Sequence, residues 1–204
     1  MKKNRRKVFI QTIKEHVLNN KKEYIVVSIL FVIGIFLGVF FINNVGQEPR
    51  TQITEYVNQF VEQLKNTESL NTVELLKTSI GQNIILAISL WFFGTTIIGI
   101  PVVFGIVAYR GFCLGYTIAA CISIMGIQKG ILFVLILLLL QNLLIIPAIL
   151  ALAVSGIKLY QSITKDKRKE NVKLEMVRHT VFSLIMLIVL ILSSVIEIFI
   201  STNV

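Results

Sequence analysis

No charged residue interrupts the chain between Tyr24 and Gln47, nor between Gly130 and Ile157. An uncharged, mostly apolar run of about 18 residues or more, wound as a helix, is long enough to cross the hydrocarbon core of a bilayer. That feature constrains the fold more than any other. The charges that remain are sparse and segregated: 15% of the 204 residues, against about 25% in an ordinary soluble domain. With 3 Pro and 12 Gly, neither a disordered nor a collagen-like chain fits. No repeat at a fixed period is visible. The expected architecture is an all-α polytopic membrane helix bundle with about five transmembrane helices and a short extracytoplasmic amphipathic helical segment.

Residues 1–23 form a basic cytoplasmic segment and residues 24–204 the membrane domain. The spans are expected at about 24–42, 83–109, 111–125, 131–157 and 181–200. The first is too long for the apolar core of a signal peptide and no small-x-small cleavage site follows, so it is an uncleaved anchor. Pro101 is expected to kink the second, because proline removes a hydrogen bond and crowds the carbonyl of Ile97. Tyr109-Arg110 is expected to be a tight turn between the second and third. Residues 126–130 turn back at the other side, and the fourth span holds Pro147 with Gln141 and Asn142.

Orientation follows from lysine and arginine. Eight lie in residues 1–23 and seven in residues 158–178. With Arg110 in its expected turn, sixteen of the 20 stand on one side and four on the other: Arg50, Lys65, Lys77 and Lys129. The basic side is then cytoplasmic, the N-terminus lies inside and the C-terminus outside. The basic runs serve topology and attraction to anionic lipid in the bilayer, at about 1 kcal/mol per residue near the surface. No nucleic-acid partner is expected.

Residues 43–80 are the sizeable outer segment. Ile53, Tyr56, Val57, Phe60, Val61 and Leu64 recur at helical spacing and make an apolar stripe. That stripe packs on the bundle, lies on the outer leaflet, or docks a partner. A second short helix is expected over residues 69–79.

Chemistry inside a membrane needs ionisable groups at depth, and few are present. Glu197 is near the outer end of the fifth span, from which it snorkels to the interface. His16 and His179 are placed at the cytoplasmic side, His179 as a solvated residue. Glu197 and His179 lie about 27 Å apart at 1.5 Å per residue, too far for one site on a single helix. No catalytic motif, metal-ligand cluster or cofactor-binding loop appears. Cys113 and Cys121 stand two turns apart and cannot bridge. Gly34 with Gly38, and Gly111 with Gly115, allow close helix packing and permit a homo-oligomer. Gln141 and Asn142 are expected to make intramembrane polar contacts, and a transport path beside them is the alternative function.

Several motifs occur in a fixed order: Gly99-Ile100-Pro101, then Arg110-Gly-Phe-Cys-Leu-Gly-Tyr-Thr-Ile118, then Lys129-Gly-Ile-Leu132, then Gln141-Asn-Leu-Leu-Ile-Ile-Pro147. Their order and spacing resemble the stage II sporulation protein M family over about residues 20–200. The resemblance implies a role in endospore formation. It implies a non-enzymatic membrane scaffold that anchors stage II sporulation proteins D and P, which cleave septal peptidoglycan during engulfment. The location implied is the septal or engulfing membrane.

Overall fold

A computed structural model describes residues 17–65, 72–96, 98–135, 140–165 and 169–201. Seven helices run through them: α1 (Lys21–Asn44), α2 (Gln47–Lys65), α3 (Thr72–Gly94), α4 (Gly99–Met125), α5 (Ile127–Phe133), α6 (Leu140–Lys165) and α7 (Lys169–Ser201). Five of them, α1, α3, α4, α6 and α7, are long and apolar enough to cross a membrane. The chain is an all-helical, multi-pass membrane protein.

The spans alternate between two ends. Lys21, Lys22, Lys158, Lys173 and Arg178 mark a basic end, and α2 and α5 lie at the far end. α6 is the central helix. In its most apolar stretch 61% of residues are buried, against 22–28% in the other four. It touches α1, α3, α4 and α7. Leu152, Val154, Ile149 and Ala153 of α6 pack with Val27 and Phe31 of α1, Leu90 of α3, Val103 and Val107 of α4, and Leu190 of α7. Lipid is as apolar as these side chains, so close packing rather than exclusion of water holds the helices together.

The tightest seam joins α1 to α4. A Cβ on Gly34 would meet the Ala108 carbonyl oxygen at 2.1 Å, and one on Gly38 the Phe112 oxygen at 2.2 Å. From the other side, Gly111 faces the Phe31 oxygen and Gly115 the Ile35 oxygen, each at 2.2 Å. Two glycine pairs, one per helix, thus interlock within a single chain. Both pairs are therefore engaged in packing within the chain.

The turn expected at Tyr109-Arg110 does not exist. α4 runs unbroken from Gly99 to Met125, and the chain reverses at Gly94–Gly99 instead. The physical reason is length: residues 111–125 alone would reach about 22 Å as a helix, short of the roughly 30 Å hydrocarbon core. Thr95 and Thr96 close α3 by donating to the Phe92 carbonyl at 2.7 Å and the Phe93 carbonyl at 3.0 Å. A side chain at Gly99 would strike the Phe93 oxygen at 1.9 Å. Pro101 stands in the first turn of α4, where its missing N–H has no helical acceptor to lose, so it starts a helix rather than kinking one.

Other boundaries shift too. Residues 72–79 are the first turns of α3, not a separate outer helix, because nothing between Ser79 and Asn83 ends the helix. After Gly126, at φ +80°, α5 folds back on α4 and brings Gly130 against Ile122. The fourth span contains α6, from Leu140; residues 136–139, between it and the helical stretch at 131–135, lie outside the described residues.

Candidate functional site

Moving the turn moves Arg110. It stands eleven residues into α4, about 16 Å from Gly99 and about 22 Å from Met125, which is mid-bilayer. Arginine at that depth is costly unless paired. Its Nη2 donates to Asn83 Oδ1 of α3 at 3.4 Å, the edge of hydrogen-bond range. Asn83 is 2% exposed and donates through Nδ2 to Ser194 Oγ of α7 at 2.8 Å and to the Leu190 carbonyl at 3.2 Å. Ser79, one turn before Asn83 on α3, lies 3.0 Å from Ser194 Oγ and donates to Glu197 Oε2 at 2.5 Å. A polar track thus runs from Arg110 at mid-depth, across α3 and α7, to Glu197 toward the far end. Arg110 and Glu197 feel each other's charge without touching. Among the described residues the salt bridge present is Arg178–Glu175, outside this track. Glu197 is not left to snorkel: it is tied to Ser79.

Arg110 also lines a cavity of about 110 Å³ between α1, α4 and α6. Cys113, Thr117 and Asn142 contribute its other polar lining, and Phe31, Ile145 and Ile149 much of its apolar wall. Thr117 donates to the Cys113 carbonyl at 2.8 Å, leaving its oxygen free to accept from whatever fills the cavity. The volume is enough for several waters or a small polar group.

A second buried polar group sits at the basic end. His179 is 1% exposed, not solvated as expected. Its Nε2 lies 3.4 Å from the Trp91 carbonyl and its Nδ1 2.8 Å from Ser155 Oγ. A carbonyl only accepts, so Nε2 carries the proton and Nδ1 accepts from Ser155. The Trp91 indole donates to Thr180 at 3.2 Å. Gly94 and Gly156 meet beside the imidazole, where a Cβ on Gly94 would lie 2.9 Å from Nε2. The cluster pins α3, α6 and α7 together and is closed to solutes.

The sequence-expected residues are divided between places. Asn142 lines the cavity; the side chain of Gln141 lies outside the described part. On α2, Ile53 and Val57 are half-buried, while Tyr56 is 72% exposed. The side chains of Phe60, Val61 and Leu64 lie outside the described part. Arg50 of α2 donates to Ser123 of α4 at 3.1 Å, which ties α2 to the bundle. Sequence reasoning missed Arg110, Asn83, Ser79, Ser194 and His179 as intramembrane groups. One signal existed: Arg110 is the sole charge between Lys77 and Lys129.

Five crossing helices with charges held at depth define a polytopic membrane bundle of the kind that holds polar groups inside the bilayer. Comparison with known families places it further. Residues 27–202 match the family of Stage II sporulation protein M, and the chain belongs to that family. It is a sporulation-related membrane protein, and its family is not generally recognised as one of enzymes. No curated protein and no solved structure matches the chain.

Proposed function

We propose that this protein is a membrane scaffold for septal peptidoglycan-degrading enzymes, equivalent to stage II sporulation proteins D and P, during engulfment in endospore formation. The family match across residues 27–202 is the observation that carries the reading. The basic end faces the cytoplasm, consistent with the excess of lysine and arginine there. Moving Arg110 into the membrane lowers that count from sixteen to fifteen, against four at the far end, so the asymmetry persists. α2 then lies outside, tied to the bundle through Arg50 and Ser123, and offers Tyr56 to a partner. The location that follows is the septal or engulfing membrane. Capture of D and P by the full chain from co-expressing membranes tests this. Tyr56→Asp on α2 is expected to weaken capture; undiminished capture of both would remove α2 as the docking face, and no capture by the native chain would remove the scaffold.

The cavity beside Arg110 and Asn142 supports a second reading, a transporter or channel subunit. Solute flux through liposomes containing the protein separates the two: the scaffold predicts none.

A further inference from the structure

The mid-membrane cavity and the cation beside it make a site that the scaffold reading does not use. A guanidinium has five N–H donors in a planar fork. Among the described residues Arg110 makes one hydrogen bond, the long one to Asn83. Glu197 offsets its charge only from a distance. The remaining donors belong to a side chain that lines a cavity of about 110 Å³ with no acid among the described residues of its wall. Cys113, Thr117 and Asn142 add polar groups. The donors facing such a cavity are those of Arg110, and its charge is one-sided.

We propose that the cavity beside Arg110 is a binding site for a single carboxylate. A carboxylate matches the planar fork in two parallel hydrogen bonds and sets one negative charge directly against the guanidinium. The site has room for that group and a short stem. Its wall runs from Phe31 and Arg110 at mid-depth to Thr117 and Asn142 nearer the far end. Two sources share this chemistry: an acidic side chain carried into the bilayer by a partner's transmembrane helix, and a small soluble carboxylate entering from the far side. Among the described residues no acid of this chain lines the cavity. Glu23, Glu74 and Glu175 stand near the ends of their helices, and Glu197 is held by Ser79. The site stands whether or not α2 docks an enzyme.

Cys113 lines the cavity and reports its occupancy. In the full chain with Cys121→Ala, reconstituted in phosphatidylcholine vesicles, alkylation of Cys113 by iodoacetamide is timed with two probes. One is a synthetic single-span leucine helix with one central glutamate, with glutamine in its place as the control. The other is sodium acetate, with sodium chloride at equal ionic strength as the control. One acidic probe is expected to slow alkylation about tenfold over its control, and which one does so identifies the source. Arg110→Gln is expected to abolish that protection. Thr117→Leu, which fills the cavity and leaves Arg110 in place, is expected to abolish it too, with Trp91 emission checking that each variant keeps its fold. Equal rates with acidic and control probes overturn the proposal. So does protection that survives Thr117→Leu in a folded chain.

Discussion

Replacing Gly111 by alanine places a methyl group 2.2 Å from the Phe31 carbonyl oxygen, where ordinary contact begins at 3.4 Å. Backbone blocks it, so no side chain can rotate away, and α1 and α4 must separate locally by about 1 Å. Separation costs contacts along the whole seam, including those of Gly34, Gly38 and Gly115. Overpacking of this sort costs about 1–3 kcal/mol. Gly105 provides the matched control six residues earlier on the same helix, because a Cβ there meets nothing within 4 Å. Gly105→Ala gains about 0.5–1 kcal/mol of helix propensity with no clash. The two substitutions are chemically identical, yet they are expected to shift stability in opposite directions from the native chain and to differ by about 1.5–4 kcal/mol. Unfolding by sodium dodecyl sulfate in mixed micelles, followed by the fluorescence of the single Trp91, measures that difference. If Gly111→Ala proves as stable as Gly105→Ala, the interlocked seam is not what holds α1 on α4.

Two further outcomes follow from the buried polar groups. In a double-mutant cycle, Asn83→Ala and Ser194→Ala are expected to couple by about 0.6–1.7 kcal/mol, the range for hydrogen bonds between membrane helices; additive losses would break the polar track at that link. Thr180→Val removes the acceptor of the Trp91 indole, so Trp91 emission should move to shorter wavelength, and an unchanged spectrum would place the indole elsewhere.

Much of the fold was legible in the sequence because the bilayer sets a simple rule: count uncharged stretches of spanning length. That rule finds five spans even where their edges are misplaced. The edge at Tyr109-Arg110 failed because a single arginine in an apolar run resembles a loop charge, and only pairing across helices tells the two apart. Asn83 and Ser194 lie 111 positions apart in the chain, and neither residue alone signals its partner. His179 borders lysines and arginines in sequence, yet the crossing of Gly94 and Gly156 closes over it. The glycine pairs were visible as close-packing motifs, but whether they face one another or a second copy is decided by tertiary structure alone. Pro101 illustrates the same limit: proline marks both the interior kink and the first turn of a helix, and the position of the preceding turn decides between them.

The site rests on Arg110 lying inside a continuous helix at mid-bilayer. Its neighbour Tyr109 is 65% exposed on the bundle surface, and Ile98 in the turn is 87% exposed, so protein burial shields neither. Single cysteines at these positions, in a chain with Cys113 and Cys121 replaced by alanine, are treated with a membrane-impermeant maleimide in membranes opened on both sides. Ile98→Cys is expected to react readily and Tyr109→Cys to stay unmodified until detergent is added. Equal labelling of the two would return Arg110 to an aqueous turn and contradict the account.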